Sequence, residues 1–176
     1  MGARNVFARR QARVSLLSLC QWLQDTPWGT GIRESIWVFP IIESTHVLAL
    51  SLSVGTIAVV DLRLFGVMMR KESVSEVTRQ ILPWSLVGFA IMFLTGALLF
   101  LSQAVKAYHS TFFRIKVLCL LLAGLNALIF QFTVYRTMAD WDRDAKPPRG
   151  ARIAGIVSLL LWITVIVAGR NMAYRF

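Results

Sequence analysis

The sequence predicts an all-α fold, a four-helix transmembrane bundle with an N-terminal amphipathic helix at the membrane surface. Three observations predict it. Hydrophobic residues make up 56% of the 176 positions and the mean hydropathy is +0.61. Charged residues make up only 16%, against roughly 25% in soluble domains. The apolar residues are also grouped in four runs, each long enough to cross a bilayer core.

The N-terminal segment from Val14 to Gln24 is too short and polar to span. Val14, Leu16, Leu17, Cys20 and Leu23 share one helical face, with Arg13, Ser18 and Gln21 elsewhere. That pattern fits a helix lying on the membrane, with Trp22 at headgroup level. Thr26-Pro27-Trp28-Gly29-Thr30-Gly31 breaks it and reads as a hinge. Residues 1–31 therefore form an arm and hinge, and 32–176 form the membrane domain. Arg9-Arg10 is followed by polar residues, and Leu17-Ser18-Leu19-Cys20 has a large Leu before the cysteine. Neither makes an export or lipoprotein signal.

The first span is expected from Ile36 to Phe65, with tilt or a kink at Pro40 absorbing its excess length. The second runs from Pro83 to Leu101, with Pro83 suited to a first helical turn. The third runs from Phe112 to Tyr135, after the turn Tyr108-His109-Ser110-Thr111. The fourth runs from Ile153 to Tyr174, after Pro147-Pro148-Arg149-Gly150. Trp37, Trp84, Tyr108, Tyr135 and Tyr174 fall near span ends, as interfacial aromatics do.

The net charge of +10 does not indicate nucleic-acid binding. The basic residues flank apolar runs, where anionic lipid headgroups receive them. Arg63, Arg70, Lys71, Arg79, Arg136, Arg143, Lys146, Arg149 and Arg152 belong to the loops after spans one and three. Arg33, Lys106, Arg114, Lys116, Arg170 and Arg175 belong to the side of the termini. The excess favours those loops in the cytoplasm and both termini outside. Arg4, Arg9, Arg10 and Arg13 nearly cancel it if counted.

Polar residues within the spans are the candidate functional positions, because they are costly there without partners. Glu43, His46, Leu50, Ser53, Ile57 and Asp61 share one face of span one, which is expected to look inward. Counting helix rise from the interfacial aromatics places Glu43, His46, Gln103, Lys116 and Arg170 in one layer. That layer reads either as an ion-pair network holding the bundle together or as a ligand or proton site. Glu43 is expected to contact Arg170 first and Lys116 second. Asn126 is expected to hydrogen-bond across the bundle, and the small residues near it to permit close helix approach.

Glu43-Ser-Thr-His46 has the Glu-x-x-His spacing of di-iron bundles, but the second pair and further carboxylates are missing. His46 and His109 are the only histidines, and they differ in depth by about 15 Å. That disfavours a bis-histidine haem and leaves haem b on His46 alone as a cofactor reading. No Met and His cluster supports copper. The two cysteines, Cys20 and Cys119, are too far apart in the expected topology to form a disulfide.

Ile42-Glu43-Ser44-Thr45-His46, Asp61-Leu62-Arg63-Leu64-Phe65-Gly66, Thr95-Gly96, Phe113-Arg114-Ile115-Lys116, Asn126-Ala127, Ser158-Leu159-Leu160-Leu161-Trp162 and Gly169-Arg170 together resemble an uncharacterised bacterial family of small four-span membrane proteins, a domain of unknown function. The likeness implies a multi-pass protein of the bacterial inner membrane and names no activity. A fainter likeness links the chain to copper-resistance membrane proteins of the D type and to small cytochrome b proteins. Gln131 stands where some relatives have histidine, which weighs against haem and copper.

Three functional readings follow. The first is a non-enzymatic membrane subunit or scaffold, with other membrane-protein subunits or a second copy as partner. The second is an electron-transfer protein holding haem b or quinone near His46. The third is a metal or small-molecule transporter.

Overall fold

The computed structural model describes residues 16–144 and 146–174. Val14, Arg4, Arg9, Arg10, Arg13 and Arg175 lie outside them. Every regular element described is helical: α1 (16–24), α2 (Pro27–Glu34), α3 (Val38–Phe65), α4 (Val74–Ser102), α5 (Ala104–His109), α6 (Thr111–Phe132), a 3₁₀ turn (Tyr135–Thr137), α7 (Met138–Trp141) and α8 (Arg149–Tyr174). Four helices are long and apolar enough to cross a membrane, the third counted as Thr111–Trp141. They form the predicted bundle.

The chain divides into two compact units, one ending at Val47 and joined by Ile91–Ser110, the other made of Leu48–Ala90 and Thr111 onward.

In the first unit the expected hinge is a helix. Thr26 caps α2, its Oγ1 accepting from the Gly29 amide at 3.1 Å, and Pro27 occupies the first turn. This is a helix start rather than a break, because proline's missing N–H costs nothing there. Gly29 is needed for contact: a Cβ would stand 2.6 Å from the Gln24 carbonyl and 3.0 Å from that of Leu101. Gln24 Oε1 also accepts from the Val105 amide at 3.0 Å, tying α1 to α5. Leu16, Leu19 and Trp22 are exposed along α1, whereas Leu17, Cys20 and Leu23 of the expected apolar face are half-buried.

In the second unit, segments of all four long helices pack together. Cys119 and Ala123 of α6 meet Trp162 and Val165 of α8, with Val54 and Ile57 of α3 and Phe89 of α4 against them. The Phe89 and Trp162 rings lie 5.4 Å apart. Lys116 lies by Gly169, and Asn126 donates to the Ala154 carbonyl at 3.0 Å, so α6 and α8 run antiparallel. Asn126 thus makes the expected cross-helix bond. A second core of Leu64, Val74, Met138, Trp141 and Ala151 closes the loop-side end. Outside these cores the spans expose large apolar side chains, among them Leu48, Phe93 and Leu160, as contact with lipid allows.

Two prolines act differently from expectation. Pro40 is the third residue of α3; helical amides this early have no intrahelical acceptor, so no kink is required. Pro83 lies inside α4, which begins at Val74 rather than at the proline. The earlier start carries Glu76, Arg79 and Gln80, which bond one another on an exposed face. A far-away carboxylate, Asp142, completes this start.

Candidate functional site

Two groups of polar side chains are built into the helices, one in each unit.

The first centres on His46 of α3. Its Nδ1 lies 2.9 Å from Thr95 Oγ1 on α4. The Thr95 hydroxyl also lies 2.7 Å from the Ile91 carbonyl and donates to it, as threonines in membrane helices commonly do. Its one proton is therefore used, so it accepts from Nδ1–H of His46, which sets the tautomer. Gly96 makes room for the ring: a Cβ there would stand 3.2 Å from His46 Cε1. Thr95-Gly96 thus supplies a hydrogen bond and a space from adjacent residues, a role the sequence reading did not give them.

The other predicted site residues are spread over both units. Glu43 is exposed, one turn before the half-buried His46, and Gln103 is half-buried at the N-terminus of α5. Both belong to the first unit. Lys116 and Arg170 belong to the second. Lys116 is half-buried, its Nζ 3.8 Å from where a Cβ on Gly169 would stand. The Arg170 guanidinium lies over the Tyr174 ring at 4.6 Å. His109, at the end of α5, is exposed and edge-on to Tyr108.

The second group was not anticipated as a cluster. Arg63 of α3 is fully buried. Its Nε donates to the Glu72 carbonyl at 2.9 Å, and Nη2 reaches the carbonyls of Asp144 at 3.1 Å and Asp142 at 3.4 Å. One guanidinium thus gathers the loop after α3 and the loop after α7, which its rigid fork of donors suits. The Asp142 carboxylate accepts from the Ser75 amide and hydroxyl, and its carbonyl from the Val74 amide. It serves the start of α4 as a cap would. Partial burial pushes the Asp142 carboxyl up, but the Ser75 hydrogen bonds and the charges of Arg143 and Arg63 more than offset this and hold it below the usual carboxylate range.

Beside this stitch, Asp61 of α3 is buried and hydrogen-bonded to Ser158 of α8. Gly155 lets α8 approach closely, a Cβ there standing 2.8 Å from the Asp61 carbonyl. One helical turn along, Arg152 lies over Phe65 at 5.6 Å. In the sequence Asp61 is one polar residue of a face expected to look inward. Its meeting with Gly155 and Ser158 is visible only in three dimensions.

The family model described as Family of unknown function (DUF6644) matches residues 35–175. The chain belongs to this family. The match begins between α2 and α3 and takes in both polar groups. Comparison with curated proteins and with solved structures finds no significant match. The family brings no activity with it, so function is read from geometry.

Proposed function

We propose that this multi-pass protein is a non-enzymatic subunit or scaffold of a larger assembly in the bacterial inner membrane. The observation that carries the reading is the face left uncovered on α6. Its span is 11% buried, against 28% for each of the other three. Leu118, Leu121, Leu125, Leu128 and Phe132 are all exposed at alternating spacings of three and four, the seam a partner helix packs against. Several polar groups meanwhile serve architecture: Arg63 and Asp142 tie loops together, and Asn126 joins α6 to α8. The partner is another membrane-protein subunit or a second copy.

Extraction from native membranes into lipid nanodiscs, followed by native mass measurement, tests this. The expected species is heavier than the 19.8 kDa chain and reverts towards it when Leu121 and Leu125 are changed to Ala. A single-chain mass from native membranes rules the reading out.

A second reading has its own support. Thr95 orients His46 through Nδ1, the arrangement that holds a ligating imidazole through its other nitrogen. Haem b or a quinone near His46 is the chemistry this favours. A reduced-minus-oxidised spectrum of the purified protein and its His46→Ala variant decides it: a b-type band lost in the variant supports haem, and quinone extraction checks the other case.

A further inference from the structure

Asp61 is the buried charge that the architecture does not use. It is 6% exposed, with one oxygen bonded to Ser158, while Oδ2 is buried without a hydrogen-bond partner. Among the described residues no Lys, Arg or His nitrogen lies within the 4.0 Å of an ion pair with it. Several polar groups of the same unit are engaged elsewhere. Arg63 is held by three carbonyls through Nε and Nη2, its Nη1 being buried without a hydrogen-bond partner. Asp142 is bonded to Ser75. Glu76 pairs with Arg79 at 2.9 Å. Asn126 of α6 is committed to Ala154. On the facing helix the Arg152 guanidinium lies over Phe65, and its Nε is buried without a partner. The close approach at Gly155 brings α8 against the Asp61 backbone.

A buried carboxylate oxygen with no cation among the described residues at ion-pair distance is costly, and a positive charge from outside relieves that cost. We propose that Asp61 and Ser158 form a binding site for a monovalent cation from solution, and that the cation is a proton. The oxygens present favour the proton over a metal ion: two carboxylate oxygens and one hydroxyl suffice for one O–H bond and one hydrogen bond, whereas a sodium ion demands a fuller oxygen shell. The balance is simple. A proton from water bonds to Oδ2, the carboxyl becomes neutral, and the other oxygen still accepts from the Ser158 hydroxyl. Asp61 lies four residues before the end of α3, about 6 Å along the axis, so exchange with solution runs from the loop side. The site gives the membrane domain a place to hold and release a proton, separate from the scaffold role.

Infrared spectroscopy of the full chain in lipid nanodiscs at neutral pH tests this, in sodium-free and sodium-containing buffer. The wild-type minus Asp61→Asn difference is expected to show a protonated-carboxyl C=O band in both buffers. That band is expected to shift in D₂O, and to move without disappearing in Ser158→Ala. If the band is missing and sodium raises the melting temperature of wild type but not of Asp61→Asn, the site takes the metal cation. No band and no sodium effect overturns the proposal. So does a band that emerges only in Arg152→Ala, because Asp61 is then ionised and paired with Arg152. Should Asp61→Asn not fold, ¹³C-carboxyl aspartate labelling of the wild type reads the same state. One aspartate in the protonated form at neutral pH supports the site; five ionised aspartates with no sodium response overturn it.

Discussion

Ser75 at the start of α4 gives both its amide and its hydroxyl to Asp142, 67 positions away, at 2.7 and 2.6 Å. The start of a membrane helix is thus completed by the loop beyond another one. The same loop offers its carbonyls to Arg63 at the end of α3, so three chain segments meet at one carboxylate and one guanidinium.

Asp142→Ala is expected to destabilise the protein by about 1 kcal/mol, the usual cost of a lost helix cap, and Ser75→Ala by less because the amide bond survives. The Asp142 carboxyl is held below its ordinary value, so its contribution is complete above the unfolded range near roughly pH 3.9 and is lost as pH falls through the lower folded value. Melting temperature against pH, for wild type and Asp142→Asn, checks the sign. The two curves should converge only in acid.

Arg63→Ala leaves the carbonyls of Glu72, Asp142 and Asp144 without its donors and is expected to cost on the order of 3 kcal/mol. Arg63→Lys should recover less than half of that. It keeps the charge, but a single ammonium does not reproduce the fork. Thermal unfolding in detergent measures both, and full recovery by lysine contradicts the role assigned to the guanidinium geometry.

Two glycines should respond oppositely to alanine. At Gly155 the added Cβ meets the Asp61 backbone at 2.8 Å and Leu64 Cβ at 3.3 Å, so the helices must separate. At Gly124 nothing lies within 4 Å, and alanine gains up to about 1 kcal/mol of helix propensity. Gly155→Ala should lower the unfolding temperature while Gly124→Ala holds or raises it.

Thr95→Val removes the acceptor that sets the His46 tautomer. Nitrogen NMR of the imidazole is expected to show a single Nδ1–H form in the wild type and a mixture in the variant. An unchanged tautomer means that another group fixes the ring.

Helix order predicts that positions 71 and 149 are labelled from one side of the membrane and the C-terminus from the other, using introduced cysteines after Cys20 and Cys119 are replaced. The charge count further favours positions 71 and 149 in the cytoplasm. Labelling of position 149 and the C-terminus from the same side contradicts four spans.

The number of spans and their type were legible in the sequence because membrane insertion depends on additive local quantities: apolar length and the absence of charge over a continuous run. Of the face expected to look inward, Ser53 and Asp61 are buried and His46 is half-buried, since a helix repeats its face at fixed spacing, whereas Glu43 on the same face is exposed. Boundaries were less legible. Pro83 marks a helix start by local rules, yet α4 begins nine residues earlier, where the carbonyl and carboxylate of Asp142 in a distant loop receive its first amides. Thr26-Pro27 carried a readable cap signal, which the glycines after it obscured. What only tertiary structure decided is which polar residues meet. Depth counting set Glu43, His46, Gln103, Lys116 and Arg170 at one level, but depth does not fix rotation about each helix axis or the choice of neighbour. Those depend on close approaches such as Gly96 to His46 and Gly155 to Asp61, where a missing side chain on one helix admits a particular group from another. A hydrogen bond or an ion pair acts over a few ångströms, so shared depth is a necessary condition, and packing between helices supplies the rest.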